Sequence, residues 1–256
     1  MSRRGGRRRR RSAFVLFIIE FVLALIILAA ILGVVAYFLC PLYKVKVTGT
    51  DLYTPEEIRG YILDDKYCGN TVYAFLKNKI CPKGDAEFID SFDVKMTGRH
   101  TLTIVCNEKP ILGYIFKESD AKYVYFNYNG VITEISETYV DRGYMKVDGV
   151  SPEKPKVGSK LSIGESQIGY LTSLIKLLKK EDLMPNAIIY DDNGHITLEY
   201  DTYRIALGSS IYLEEKIQRV VWILPNIEGM YGTLHLEKFS NQNTDIVFEK
   251  DVDKSE

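Results

Sequence analysis

The stretch VKVTGTDLYTPEEI, residues 45–58, decides the fold of the first folded region. Val45 and Val47 alternate with lysine and threonine, and this period of two predicts a strand with one apolar face. Gly49 follows and ends the strand, because glycine is the residue that most readily turns the chain. A short strand and a turn are therefore expected before residue 54.

The second half of the same stretch predicts a helix. Thr54 and Glu57 have the spacing of a capping box, in which each side chain binds the other residue's amide. Pro55 occupies the first helical position, where no amide hydrogen is needed. The helix that follows carries Ile58 on its apolar face.

The segments after this helix predict a second helix and two more strands, which complete a small sheet. Apolar residues from Val72 to Ile80 fit a second short helix, and residues 92–109 read as two strands around Gly98-Arg99. The predicted order is strand, helix, helix, strand, strand. We expect a three-stranded sheet with both helices on one side.

The remainder of the chain predicts a mixed, mainly antiparallel β domain with flanking helices. Asn129-Gly130 and Asn193-Gly194 each suit a two-residue hairpin turn between strands. Residues 166–180 and 210–224 have the apolar spacing of amphipathic helices. The predicted fold class of the whole chain is α+β.

An apolar run precedes both regions. Residues 21–39 carry no charge, and at ~1.5 Å per helical residue they span about 28 Å, close to the hydrocarbon thickness of a bilayer. Seven arginines precede the run, at positions 3, 4 and 7 to 11, and predict a cytoplasmic N-terminus. Glu20 is expected at the headgroup boundary.

A cleaved signal peptide is the alternative reading of this N-terminal segment, but the apolar region of a signal peptide would be shorter. A lipidation site at Cys40 is disfavoured because the residue before it, Leu39, is bulky.

Charge and cysteine content narrow the function classes. Residues 40–256 carry 26 basic and 33 acidic side chains, a net charge of −7, and the arginine run is explained by topology, so no nucleic-acid binding is predicted. The four cysteines, at 40, 68, 81 and 106, lack zinc-site spacing. Cys68 and Cys81 bracket a predicted helix, and spacing leaves both a bridge and two free thiols open.

Motifs for catalysis are missing from the sequence. It has no nucleophile elbow, Walker loop, zinc-protease motif or calcium loop. His195 and His235 are isolated, and the tyrosines at 123, 125 and 128 are expected to pack on a sheet rather than to stack on a ligand. We therefore predict no enzyme activity, no catalytic or metal-binding residues, and no cofactor.

With a basic tail, one span and this element order, the chain resembles the FtsQ/DivIB family of bacterial division proteins. The resemblance covers nearly the whole chain, including an E-x-P pattern at Glu108 and Pro110. It implies that the first folded region is a POTRA (polypeptide-transport-associated) domain. The family-motif residues are Val45, Val47, Gly49, Thr54, Glu57, Ile58 and Lys216. Lys216 and Ile217 form the Lys-(Leu/Ile) pair of the last predicted helix.

The resemblance also implies an organisation and a function. The expected segments are a cytoplasmic tail (1–13), a transmembrane helix (14–39), the POTRA domain (41–110), an FtsQ/DivIB-type β domain (111–249) and a C-terminal tail (250–256). The protein would be a single-pass membrane scaffold of the divisome at the division septum, with its C-terminal domain extracytoplasmic. The implied partners are bitopic proteins of the FtsB/DivIC and FtsL type, with a septal penicillin-binding protein as a further candidate. A membrane-anchored cell-wall enzyme or a POTRA-based translocation component is the alternative.

The last predicted strand is the candidate docking site. Asp245, Val247 and Glu249 alternate with Ile246 and Phe248, so one face can pack while the backbone edge stays open to a partner strand, with the Val247 amide as a candidate outward donor. One departure from the family lies nearby, where Asp-Leu-Arg is replaced by residues 235–237, His-Leu-Glu. The predicted partner-binding residues are Leu234, Leu236, Lys238, Phe239, Thr244, Asp245, Ile246, Val247 and Phe248.

Overall fold

The computed structural model describes residues 5–150, 152–240, 242–243 and 245–251. It has the predicted mixed α+β character, with an N-terminal apolar helix followed by helices and two sheets. The chain divides after Glu108 into two compact units, which are described separately.

The first helix, α1, covers Gly5–Leu39. Its 25 residues from Val15 to Leu39 are long and apolar enough to cross a membrane. The described side chains of that segment are exposed, so no protein core accounts for their apolar character.

The first unit continues in the predicted order of strand, helix, helix, strand, strand. Its sheet has the order β1-β3-β2, in which β1 runs parallel to β3 and β2 runs antiparallel to it. The elements are β1 (Lys44–Thr48), α2 (Pro55–Ile62), α3 (Thr71–Ile80), β2 (Ile89–Gly98) and β3 (Thr101–Glu108).

The capping box at the start of α2 forms as predicted. The amide of Thr54 donates to Glu57 Oε2 at 2.8 Å, and the amide of Glu57 donates to Thr54 Oγ1 at 3.3 Å. Ile58 is buried in the core of the unit, against the partly buried Val45 and Val47 of β1. The cap therefore sets where α2 begins, and this start places the apolar face of the helix on the sheet.

The end of α1 is bound to the first unit through backbone groups. The amide of Thr71, the first residue of α3, donates to Cys40 O at 2.8 Å, and the amide of Leu42 donates to Gly69 O at the same distance. These bonds satisfy groups that a helix end would otherwise leave unpaired. The short link between α1 and β1 is consequently part of the folded unit.

The second unit is built on one nine-stranded sheet. Its order is β12-β11-β10-β9-β8-β7-β4-β5-β6, and most neighbouring strands are antiparallel, as predicted. Three pairs, β4 with β7, β7 with β8 and β10 with β11, are parallel. The strands are β4 (Gly113–Lys117), β5 (Lys122–Phe126), β6 (Ile132–Ser136), β7 (Met145–Asp148), β8 (Ala187–Tyr190), β9 (Ile196–Glu199), β10 (Tyr203–Gly208), β11 (Gly232–His235) and β12 (Val247–Lys250).

Two helices complete this unit. They are α4 (Glu165–Lys180) and α5 (Leu213–Ile227), and both contribute buried apolar residues to the same core as the strands. The prediction that the last helix covers residues 210–224 was wrong at both ends. Tyr212 has left-handed backbone angles, with φ of 57°, so the helix begins one residue later. It continues past Pro225 to Ile227, which is buried in the core.

The two-residue hairpin turns were also wrongly predicted. In the first, the amide of Asn127 donates to Val131 O at 2.9 Å, which encloses a three-residue loop with φ of +67° at Gly130. The Asn127 side chain accepts hydrogen bonds from the amides of Asn129 and Val131, and the Asp191 side chain accepts them from the amides of Asn193 and His195 in the second hairpin. These side-chain bonds stabilise the wider loop, in which only the glycine needs a left-handed conformation.

Cysteine and tyrosine side chains resolve two points that the sequence left open. Cys68 and Cys81 are free thiols, the first buried and the second exposed. Tyr125 is fully buried, and Tyr123 packs against Tyr114 and Phe116 at ring-centroid distances of 5.9 and 4.9 Å. These tyrosines are sheet-packing residues as expected, whereas Tyr128 is exposed.

We expect Gly49→Ala to destabilise the first unit by about 2 kcal/mol or more, because a left-handed conformation costs an L-residue ~1–2 kcal/mol before any clash. Gly49 has φ of +91°, and an added Cβ would meet the backbone oxygen of Cys106. Thermal unfolding followed by circular dichroism measures the change. Gly60→Ala is the control, since Gly60 lies in α2 with open space around it and alanine there should be neutral or stabilising. Equal melting temperatures for the two variants would contradict this account.

Candidate partner-binding edge

The candidate site is the end of the large sheet formed by β11 and β12. These strands pair antiparallel, with Leu234 opposite Phe248 and His235 opposite Val247. β12 has a neighbour only on its β11 side among the strands that the structure describes. It is therefore an edge strand.

Side chains at this edge alternate between core and solvent. Ile246 and Phe248 pack against the core of the second unit, as the sequence pattern predicts. Val247 is 59% exposed, and Glu249 is exposed on the same face. The solvent-facing row of β12 is thus available for contact.

The predicted partner-binding residues separate into two groups in the structure. Leu234, Leu236 and Phe239 are buried, so they support the edge from inside rather than offering a contact surface. Lys238, Asp245 and Val247 are exposed. Thr244 lies outside the described residues.

The direction of the backbone groups decides what the edge offers. The amide of Asp251 donates to Tyr231 O at 3.1 Å, so Asp251 points its backbone groups toward β11. Alternate residues of an antiparallel strand do the same, which places the Val247 amide inside the sheet and makes its predicted outward direction wrong. The residues that point N–H and C=O away from the sheet are Ile246, Phe248 and Lys250.

A histidine and two glutamates hold β11 and β12 together on the exposed face. His235 Nδ1 lies 3.0 Å from Glu237 Oε1, and its Nε2 lies 3.2 Å from Glu249 Oε2 on the neighbouring strand. The hydrogen bond to Glu237 raises the pKa of His235 above its usual value of 6.5, and Glu249 adds to the rise. Protonated His235 therefore favours the β11–β12 pairing.

The far end of β12 is held by a second ion pair. Arg204 Nη2 on β10 lies 3.0 Å from both carboxylate oxygens of Asp251, and Arg204 Nε donates to Thr233 Oγ1 at 3.3 Å. Sequence reasoning missed both of these clusters, because their members become neighbours only when the three strands pair. The only sequence signal was the replacement of Asp-Leu-Arg by a triplet with histidine and glutamate at its ends.

A surface hollow of about 460 Å³ lies beside the edge. It contains the carboxylates of Glu237, Asp245 and Glu249 together with His235 and Lys238. More negative than positive groups line it, so the solvent face of the edge carries negative charge at neutral pH.

Lys216, which the sequence pattern singled out, is buried in the second unit. Its side chain is 1% exposed, and its Nζ donates to Leu207 O at 2.6 Å and to Ser209 O at 3.0 Å. Burial lowers the pKa of Lys216. The ammonium group thus binds the end of β10 to the start of α5, and the motif residues of the first unit lie within that unit's own strand, turn and helix.

Within the described ranges, no group of three or more histidine, cysteine, aspartate or glutamate side chains could hold a metal ion. Among known proteins, no family model and no curated sequence matches the chain.

We expect the attachment of β12 to weaken as the pH rises from about 6 to about 8, a range that brackets ordinary histidine titration. The folded-state pKa of His235 is raised, so its stabilisation is complete below 6.5 and is lost as the pH passes through the folded value. Hydrogen exchange of the Val247 and Glu249 amides, corrected for intrinsic rates, measures this change.

The matched control is a second histidine. His235→Gln should remove the pH dependence, whereas His195→Gln in the hairpin loop should leave it intact. An unchanged pH dependence in His235→Gln would show that another group is responsible.

Proposed function

We propose that the protein is a single-pass membrane scaffold of the bacterial divisome, similar in role to the FtsQ/DivIB family, and that it has no enzymatic activity. The observation that carries the proposal is the open edge of β12. It presents backbone groups at Ile246, Phe248 and Lys250 that point away from the sheet and pair with no other described strand, beside an exposed, charged face. The first unit, with its β-α-α-β-β order, is the proposed POTRA domain.

Strand addition is the binding mode that this edge supports best. A partner strand laid along β12 would pair its main chain with the outward backbone groups, and its alternating side chains would set the register. Edge strands usually carry charges that discourage pairing with copies of themselves. The carboxylates of Glu237, Asp245 and Glu249 serve that purpose here, and they favour a partner strand with basic side chains.

The proposed partner is a bitopic coiled-coil protein of the FtsB/DivIC type, acting together with one of the FtsL type, and a septal penicillin-binding protein is a further candidate. Where the family has an arginine, this chain has Glu237. The side-chain contacts at the edge must therefore differ in sign from those of the family, while the main-chain pairing can be the same.

The proposed topology follows from α1. Its apolar segment would cross the cell membrane with the arginine-rich end in the cytoplasm, in keeping with the positive-inside rule. Both folded units would then lie outside the cytoplasm at the septum. Short bonds between the end of α1 and residues 69–71 would keep the first unit next to the membrane.

Lys250→Pro should abolish co-purification with the partner while the second unit stays folded. Proline removes an outward amide hydrogen and crowds an incoming strand, but Lys250 gives no amide bond to β11. We expect at least a tenfold loss of partner in a pull-down and a shift in melting temperature below about 4 °C, the effect of ~1 kcal/mol in a domain of this size.

Two matched variants separate docking from folding. Lys250→Ala keeps the amide and should bind normally, whereas Val247→Pro removes a bond within the sheet and should lower stability. Normal pull-down with Lys250→Pro would exclude strand addition at this edge.

A flexible glycine-serine linker of about ten residues after Pro41 should impair division, since such a linker gives a root-mean-square reach of roughly 17 Å. The insertion removes the short covalent link that keeps Cys40 O beside the Thr71 amide, so the first unit could move away from the end of α1. Cell length and the mid-cell signal of a fluorescent fusion report the effect. The same linker placed after Asp251 is the control, and normal septation with the Pro41 insertion would argue against a positional role.

A further inference from the structure

We propose that the face of the first unit around the end of α1 binds the phosphates of anionic phospholipids, with Arg99 as the main contact. The proposal rests on α1 crossing the membrane, as proposed above. The occupant is the headgroup layer of the same bilayer, because the surface adjoins the end of the apolar segment.

The height of this surface follows from the length of α1. From Phe21 to Leu39 the chain is uncharged, and its length of about 28 Å matches the hydrocarbon core. With Glu20 at one boundary, Leu39 lies at the other. The headgroup layer beyond it is ~5–8 Å thick, so a group that bonds the Leu39 carbonyl lies inside that layer.

Two loops of the first unit bond to backbone carbonyls at the end of α1 or just after it. Arg99 Nε donates to Leu39 O at 2.6 Å, and Asn70 Nδ2 donates to Tyr37 O at 3.1 Å. His100, the second residue of the turn between β2 and β3, places its Nδ1 2.8 Å from Pro41 O. The hairpin tip and the loop before α3 are therefore fixed at the level of the headgroups.

Two nitrogens of the Arg99 guanidinium remain able to donate hydrogen bonds to a ligand. Its Nε is used by Leu39 O, and its two terminal nitrogens have no partner among the described residues. The side chain is exposed. A guanidinium fork fits a phosphate with two parallel hydrogen bonds, so a lipid phosphate beside the helix end would complete the coordination of Arg99.

An exposed tyrosine lies next to the hairpin tip, and another lies in the loop before α3. Tyr43 is 75% exposed and stacks on His100 with a centroid distance of 4.9 Å. Tyr67 is 50% exposed, and Lys66 Nζ lies 4.8 Å from the centre of its ring. Tyrosine is enriched at this depth because its ring is apolar and its hydroxyl is polar.

The charges around the site favour an anion. Arg99, Lys44 and Lys66 are exposed. Of the carboxylates in the loop before α3, Asp64 binds Lys77 and Lys83 at 2.8 and 2.6 Å. Asp65 accepts a hydrogen bond from the hydroxyl of Tyr73 at 2.8 Å and lies 3.7 Å from Lys77 Nζ. Glu56 and Arg59 line one hollow with Leu42 and Gly69 and carry opposite charges. Arg99, Lys44 and Lys66 therefore leave an excess of positive charge on this face, although residues 40–256 carry a net charge of −7.

The test measures lipid binding by the purified full chain in detergent, with glutamine replacing its seven N-terminal arginines so that they do not bind the probe. Dioctanoyl phosphatidylglycerol is titrated, and native mass spectrometry counts the bound lipid. Arg99→Gln should lower the affinity about tenfold, the size of one charge-assisted contact. Arg99→Lys should have a smaller effect because the charge remains.

Matched controls define the site. Arg219→Gln removes an exposed arginine of α5 and should leave the affinity unchanged. Dioctanoyl phosphatidylcholine should bind more weakly than phosphatidylglycerol. Melting curves check folding, and Arg99→Lys decides the matter if Arg99→Gln does not fold.

Three results would overturn the proposal: equal affinities for Arg99→Gln and Arg219→Gln, equal binding of the two lipids, or displacement of the lipid by inorganic phosphate at equal concentration. Alkaline carbonate extraction of cell membranes tests the anchoring separately. If the chain is extracted, the proposed membrane function and the lipid site both fail. If it resists extraction and Arg99 has no effect on binding, the lipid site alone fails.

Discussion

Backbone hydrogen bonding is the constraint on which the rest of this structure depends. Every strand and helix leaves N–H and C=O groups at its ends or edges, and burying such groups unpaired costs free energy. The two units meet this requirement in opposite ways. In the first, the end of α1 is closed by groups of the folded unit. In the second, pairing runs across nine strands and stops at β12, whose outer edge stays open.

The closed helix end depends strongly on one buried side chain. Asn70 is 4% exposed, and it donates to Tyr37 O of α1 while its Oδ1 accepts from the amide of Tyr73 in α3 at 3.0 Å. A single amide group thus serves the C-terminal end of one helix and the N-terminal end of another. This arrangement makes the link between α1 and the sheet short and well ordered, which a positional role for the first unit requires.

The open strand edge is supported by groups that do not themselves face a partner. Lys216 holds the end of β10, Arg204 reaches across to Asp251, and His235 bridges to Glu249. Because these contacts join β10, β11 and β12, the edge is formed before a partner strand arrives. A preorganised edge loses less conformational entropy when a strand is added. The contacts that stabilise the sheet therefore leave the outward backbone groups of β12 accessible to a partner strand.

The sequence alone determined the elements whose signals are local. Residues 45–58 predicted β1, the turn at Gly49 and the capping box, because a strand period and a cap depend on residues a few positions apart. It also identified the apolar helix and the alternation of β12. Only the tertiary structure decided which way the backbone of β12 points, which of the predicted site residues are buried, and how His235 meets Glu249 and Asn70 meets Tyr37. Those outcomes depend on strand register and on contacts between residues that are distant in the chain, and no local pattern encodes them.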